Sequence, residues 1–361
     1  MDSSAVFTPM PDLGLVIVDE EHEPAFKQQD GLRYSARDLA IVRAHALNVP
    51  VVLGSATPSL ESLLNCDTNR YKKLRLPARA GKAIEPRWRC ADLRGQTLTG
   101  GLCNTALLTV EQHLKDEGQV LIFLNRRGFA PVLMCHDCGW TADCQHCDAR
   151  YTLHRSDRRL RCHHCGDQRP AITRCPDCNG EDLNPYGQGT EQLEQILAER
   201  FPETTPLRID GDTTRRKGSL DEKLSAVHSG EARLLIGTQM LAKGHDFPDL
   251  TLVVVVDADQ GLLTADFRGT ERFAQLTTQV AGRAGRAEKP GEVLIQTHRP
   301  DHPLLQTLLQ GGYEAAAEVI LKERQAAHWP PYSAVALIRA DASQLLAAMK
   351  FLEEASGPLK A

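Results

Sequence analysis

The chain has 361 residues, more than one compact domain usually holds, so two or three domains are expected. Hydrophobic residues make up 42% and charged residues 25%, which excludes global disorder, and the net charge of −5 excludes a protein that coats nucleic acid with its whole surface. The longest apolar runs, such as residues 253–256, fall far short of the roughly 20 residues of a membrane helix. Met1-Asp2-Ser3-Ser4 lacks the basic start and apolar stretch of a secretion signal, so the expected setting is the cytoplasm, away from any membrane.

Leu13-Gly14-Leu15-Val16-Ile17-Val18 is a continuous apolar run ending at Asp19-Glu20-Glu21-His22, the pattern of a buried parallel strand. Ser35 then opens a helix with Leu39, Val42, Ala46 and Leu47 on one face. Residues 49–53 form a second strand, and Thr57-Pro58 starts another helix with Thr as its cap and Pro at its first position. Residues 77–104, rich in Pro, Gly and charge, read as a connection between two lobes. A helix over 107–114 and a strand over 120–124 follow.

At Met134 the aliphatic rhythm stops, and it resumes only at Gly189-Thr190. Leu193, Ile196, Leu197 and Phe201 then give a helix face, residues 207–209 a short strand, and Ser219-Leu220-Asp221-Glu222 a capping box. Residues 234–236 and 252–256 are strands. The fold class is α/β with parallel sheets, and the cysteine segment is inserted into a domain already under way.

Eight of the eleven cysteines form C-x-x-C pairs: Cys135/Cys138, Cys144/Cys147, Cys162/Cys165 and Cys175/Cys178. In a cytosolic chain such pairs read as metal sites, while the scattered Cys66, Cys90 and Cys103 read as free thiols. Cys144-x₂-Cys147-x₁₄-Cys162-x₂-Cys165 is close to the spacing of a zinc ribbon, and the other two pairs flank it. Four pairs can make two Cys₄ sites in three ways, and spacing favours the nested one. Two structural Zn²⁺ ions are expected, with His136, His163 and His164 as neighbours rather than ligands. The inner loop carries Arg150, Arg155, Arg158, Arg159 and Arg161 against Asp157, a surface for phosphate backbone or for a protein partner.

Asp19 and Glu20 stand at the carboxyl end of a strand, where parallel α/β sheets bind ligands. A strand-end Asp can hold Mg²⁺ on a nucleotide, and the next Glu can orient the attacking water. Gly54-Ser55-Ala56-Thr57-Pro58 follows the next strand. Gly237-Thr238-Gln239-Met240-Leu241-Ala242-Lys243-Gly244-His245-Asp246 follows the strand at 234–236. In Gln279-Val280-Ala281-Gly282-Arg283-Ala284-Gly285-Arg286, the two arginines three apart on a helical face can both reach a γ-phosphate.

This order of motifs resembles the superfamily 2 helicases, and within them the primosomal protein N′ (PriA) family of replication-restart DNA helicases. Phe7-Thr8-Pro9, Lys27-Gln28-Gln29, Arg33-Tyr34, Ala36-Arg37-Asp38, the run from Phe123 to Pro131 and the inserted cysteine segment carry the likeness, which extends from about Ser4 to about Arg339.

The resemblance implies two RecA-like (P-loop NTPase-type) parallel-sheet lobes, the first incomplete, with an inserted double zinc-binding module. Residues 1–80 would be the rear of the first lobe, 81–104 the interlobe linker, 105–133 and 183–300 the second lobe, 134–182 the zinc module, and 301–361 the start of a truncated C-terminal domain. It implies ATP with Mg²⁺ as cofactor: Asp19 on the metal, Glu20 activating water, and Arg283 and Arg286 reaching the γ-phosphate. Glu21, His22, Gly244, Asp246 and Gln279 would complete the nucleotide site. Phe26, Tyr34, Arg126, Arg127, Thr238 and Gln239 would contact DNA. Fork and single-stranded DNA, primosome proteins and single-stranded-DNA-binding proteins would be the partners of a monomer.

Leu32 and Ser35 depart from the family pattern, and Ser3 stands where the family has Arg. No G-x-x-x-x-G-K-[S/T] occurs in the 361 residues, and the pair Gly81-Lys82 has no Gly five residues before Gly81. The expectation is a fragment whose ATP site is incomplete, with exposed apolar edges on its first lobe. The rival reading is a non-catalytic zinc scaffold that binds fork DNA or primosome proteins.

Overall fold

The computed structural model describes residues 3–28, 32–76, 85–124, 133–147, 150–154, 159–162, 165–185, 190–210, 213–214, 218–239, 241, 247–256, 258–264, 266–285, 289–336, 338, 340 and 342–357. They divide into two compact units, Met1–Ile320 and Leu321–Ala361.

The first unit begins with β1 (Val16–Val18), α1 (Ala36–Ala46), β2 (Val51–Leu53) and α2 (Leu60–Asp67). β1 and β2 pair in parallel, Val16 opposite Val51 and Val18 opposite Leu53. The Ser35 hydroxyl caps α1 by accepting from Asp38 N. The helix buries Ala36, Ala40 and Ala44, not the face expected from its larger residues: Val42 is 62% and Leu47 51% exposed. An alanine stripe lets a helix lie close to its neighbours, here β1, β2 and the 3₁₀ turn Ser3–Phe7. α2 is capped by Ser59, whose hydroxyl accepts from Ser62 N, so the expected Thr57 cap is displaced by two residues.

Leu15, Ile17 and Val52 remain exposed on this small sheet, Ile17 at 66%. Ile17→Lys is expected to leave the thermal midpoint nearly unchanged, because surface substitutions usually stay within about 0.5 kcal/mol. It should also raise the concentration at which the chain stays unassociated in sedimentation, because exposed apolar strand faces drive association.

Next come β3 (Arg87–Asp92), the hairpin β4 (Leu98–Thr99) and β5 (Leu102–Cys103), α3 (Asn104–Lys115) and β6 (Gln119–Phe123). The cysteine segment contains β7 (Leu133–Cys135), β8 (Tyr151–His154), β9 (Arg159–Cys162), β10 (Gln168–Pro170) and β11 (Leu183–Pro185). The chain continues through α4 (Thr190–Arg200), β12 (Leu207–Ile209), α5 (Ser219–His228), β13 (Leu234–Gly237) and β14 (Leu250–Val255). It ends with α6 (Ala258–Leu262), α7 (Gly269–Ala281), β15 (Glu292–Thr297), α8 (Pro303–Ala326) and α9 (Leu345–Ser356).

Six strands form one all-parallel sheet in the order β12-β13-β6-β14-β15-β3. Its central strands are apolar on both faces, as helices on both sides require: every residue of β6, β13 and β14 is buried. α3 and α4 cover one face with Ala106, Leu107, Val110, Leu193 and Leu197.

Three expectations are corrected here. Residues 81–104 are not all linker, because β3 pairs with β15 along its length, Arg87 opposite Glu292 and Asp92 opposite Thr297. As an edge strand, β3 keeps a polar sequence that hides it. α5 has no Ser-based capping box, since Gly218 takes the cap position at φ 88° and Ser219 is already helical. The first part of α8 falls in the first unit, with Leu304, Leu305 and Leu308 buried, so the unit division falls at 320/321 and not at 300/301.

In the second unit Trp329 N donates to Arg324 O at 2.8 Å and Arg324 Nη1 to Pro330 O at 3.1 Å. Among the described residues no helix is long and apolar enough to cross a membrane.

Candidate nucleotide site and zinc centres

The turn after β1 puts Glu20 at φ 49°, uncommon for a residue with a side chain. Its backbone N donates to Asp19 Oδ1 at 2.9 Å, and Asp19 is exposed while Glu20 is half-buried. Gly54 N donates to Val18 O and Glu21 N to Gly54 O, which ties the carboxylates to the small-residue turn after β2.

α7 closes over both turns. Gln279 Nε2 donates to His22 Nε2 at 2.6 Å and stands 3.5 Å from Glu20 Oε2 and 3.4 Å from Thr57 Oγ1. With Nε2 accepting, His22 carries its proton on Nδ1 and donates to Ser55 Oγ at 2.7 Å. Three stretches far apart in sequence thus meet at one point: Asp19–His22, Gly54–Thr57 and Gln279. Glu271, 3% exposed, accepts from Leu60 N at 3.0 Å, so α7 supplies a remote anion for the start of α2. Burial works against the Glu61 carboxylate, but the Arg268 guanidinium 2.6 Å away prevails and holds it below the usual range.

Glu21 does not share the exposure of Asp19. Its carboxylate is buried and accepts from Ser59 N at 2.7 Å, Ser59 Oγ at 3.0 Å and Arg37 Nη1 at 3.0 Å. That ties it into the scaffold joining β1 to α2, at the wall of a cavity it shares with His22 and Arg37. α7 ends at Ala281 with Gly282 as its C-cap, so Arg283 lies in the turn beyond the helix and not on a helical face, and it is buried. Phe26 and Tyr34 are half-buried, Tyr34 edge-on to Phe7 at 5.0 Å between ring centres. Thr238 is buried at the end of β13 and Gln239 is half-buried. Arg126, Arg127, Gly244, Asp246 and Arg286 lie outside the described residues.

The cysteines gather into two groups: Cys135, Cys138, Cys175 and Cys178, and Cys144, Cys147, Cys162 and Cys165, with all sulfurs of a group within 4.8 Å of one another. This is the nested arrangement. The closest cross-pair sulfurs are 3.6 and 3.7 Å apart in the outer group and 3.5 Å in the inner one. Four thiolates at about 2.3 Å from a tetrahedral zinc stand about 3.8 Å apart, so both groups fit the ion and neither fits a disulfide.

The knuckles explain the local fold. Gly139 N donates to Cys135 O, Gly166 N to Cys162 O and Asn179 N to Cys175 O, with φ of 77°, 81° and 62°. A residue that accepts left-handed backbone after the second cysteine is a signal the spacing argument missed. β7 and β11 pair at the base of the insertion, and β8, β9 and β10 make the inner ribbon. On that ribbon Arg159 lies opposite His154 and Arg161 opposite Thr152, one basic and polar face. Cys90 is an ordinary half-buried thiol, pushed up to about 11 by the burial it has.

A small parallel sheet with these turns at its carboxyl side, bridged by α7 to a larger parallel sheet that hosts paired Cys₄ centres, defines an α/β protein with a zinc module. Residues 144–170 match the PriA DNA helicase Cys-rich region (CRR) domain, and residues 180–288 match the helicase conserved C-terminal domain. The replication restart protein PriA of Haemophilus influenzae is 52% identical over 339 residues, 94% of this chain and 46% of that protein. The corresponding protein of Bacillus subtilis is 41% identical over 364 residues, 99% of this chain and 45% of that protein. The chain belongs to the PriA family of replication restart helicases. It spans about half the length of the curated relatives it matches.

Proposed function

We propose that these residues form part of an ATP-dependent 3′→5′ DNA helicase that recognises stalled forks, unwinds DNA and helps assemble the primosome. The observation that carries this reading is the meeting of Glu20, His22 and Thr57 on Gln279, because it brings the strand-end carboxylates to the segment bearing the arginines. ATP supplies the chemical free energy and Mg²⁺ neutralises its phosphates. On the protein side, exposed Asp19 holds the metal, and Glu20, oriented by Gln279, positions and deprotonates the water. Arg283, together with Arg286, Gly244 and Asp246, serves the phosphate end of the nucleotide.

Phe26, Tyr34, Arg126, Arg127 and Gln239 contact single-stranded DNA, with Thr238 supporting that turn. The zinc module bears on fork DNA, on primosome proteins and on single-stranded-DNA-binding proteins. The protein acts as a cytoplasmic monomer.

The 361 residues on their own are expected to hydrolyse ATP at background rate with or without DNA, because they contain no G-x-x-x-x-G-K-[S/T] to hold the β- and γ-phosphates. Joining them behind the N-terminal half of the Haemophilus influenzae relative should restore DNA-stimulated hydrolysis, and Glu20→Gln should abolish it. A folded chimera that binds ATP without DNA-stimulated turnover would overturn the motor reading. The missing motif also favours the second reading, a zinc scaffold that binds forks without an ATP cycle, and that outcome would leave it standing.

A further inference from the structure

The outer zinc knuckle and the second-lobe sheet meet through one run of polar groups that the roles above do not use. Asp259, at the start of α6, is 2% exposed, and His298, just past β15, is 1% exposed. Asp259 accepts from the Thr297 hydroxyl and, at 2.9 Å, from His298 N. His298 Nδ1 lies 2.8 Å from Asp259 Oδ2, and its Nε2 lies 2.8 Å from His136 Nδ1. His136 Nε2 lies 2.6 Å from Gln96 O, in the turn that follows β3. The carboxylate and the carbonyl only accept, so the ring nitrogens that face them donate.

His136 stands between the ligands Cys135 and Cys138, and the backbone closes the same junction. Gly95 N donates to His136 O at 3.2 Å, and a Cβ at Gly139 would come within 2.8 Å of His298 O. The carboxyl ends of β3, β14 and β15 therefore all converge behind a single knuckle.

We propose that Asp259 and His298 are positioning residues that clamp the outer zinc knuckle to the carboxyl edge of the second-lobe sheet. Through them that lobe sets the orientation of the knuckle and its hold on the outer metal. Groups that back a metal site govern how firmly it is held, and a buried polar network anchored at both ends has few alternative arrangements. The inference rests on the zinc reading of the cysteines and needs neither nucleotide nor DNA.

The test uses the zinc-loaded chain, without nucleotide or DNA, in excess chelator. Release of each metal is followed with a zinc dye, and amide exchange over residues 135–141 by mass spectrometry. In His298→Ala and Asp259→Asn one of the two zincs should leave about tenfold faster or more while the other keeps its wild-type rate. Residues 135–141 should lose protection and residues 150–154 should keep it. Asp259→Asn, which has the shape of the carboxylate it replaces, serves if His298→Ala fails to fold. His298→Gln, whose amide still reaches His136, should recover part of the retention.

Release of both metals at wild-type rates from a folded variant overturns the clamp, as does equal acceleration of both. A wild-type chain with no zinc in the outer site overturns the clamp and the zinc reading together. Failure of the ATPase chimera bears on the motor reading alone.

Discussion

Removing zinc with excess chelator is expected to unfold residues 134–182 while the six-stranded sheet stays folded. The module buries little aliphatic surface of its own: its cluster is Leu133, Ala142, Tyr151, Leu160 and Cys162, with Trp140, Leu153, Ile172 and Leu183 only partly covered. A core this small does not offset the entropy of ordering such a segment, so the metal must supply the difference. Structural zinc binding is worth about 10–16 kcal/mol per site at neutral pH, which is folding free energy when the apo site is not preformed. Metal analysis should give two zincs per chain before chelation. Amide exchange should then show loss of protection over residues 150–154 and 168–170, with β6, β13 and β14 unchanged. Cys162→Ser should reproduce the loss in the inner ribbon, whereas Cys66→Ser should do nothing. Unchanged protection in a metal-free chain would show that the module holds itself together.

Glu21→Ala should destabilise the chain by about 1–3 kcal/mol, because it leaves the buried Ser59 N without its acceptor and takes one of two carboxylates from Arg37, which keeps Asp38. Asp19→Ala, only two residues away, should shift stability by less than about 0.5 kcal/mol, because Asp19 is exposed. In the chimera the effects on turnover should divide differently, with Asp19→Ala abolishing hydrolysis in a protein that melts normally. Denaturant unfolding of the two variants side by side measures the difference. Equal stability losses would mean that the two neighbouring carboxylates share one structural role.

The cysteine spacing carried most of what was readable about the zinc centres, since ligand pairs are local and their geometry is fixed by the ion. The central strands were equally plain, because a strand buried on both faces has to be apolar throughout. What escaped was set by partners distant in sequence. The α1 face is not legible locally, because Val42 and Leu47 outweigh Ala36, Ala40 and Ala44 in any local pattern, although a small-residue face is what packs against β1 and β2. β3 was hidden by its polar edge-strand sequence.

The α2 cap was off by two because Thr57 and Ser59 are both good caps, and the choice depends on Glu21 and Glu271, 38 and 211 residues from the groups they accept from. Glu21 looked like its neighbours Asp19 and Glu20 for the same reason: a sequence shows three acidic residues in a row and not which of them turns inward. Nothing local marked Asp259 or His298. Both read as ordinary loop residues until the strand ends are brought together.

The pairing of β7 with β11 sets Leu133 opposite Pro185 and Cys135 opposite Leu183, so the insertion leaves and re-enters its host through adjacent strands, about 5 Å apart. For the host sheet this gap is no wider than a hairpin turn. The entropy of closing a loop depends on how far apart its ends are held and how much chain lies free between them, and here the ends are already stapled. The ribbon beyond the outer knuckle can therefore lengthen or shorten at little cost to the sheet, while the knuckle itself stays tied to the strand ends through His136. The lobe is built to tolerate cargo at that point, much as a bracket accepts any fitting with the right base.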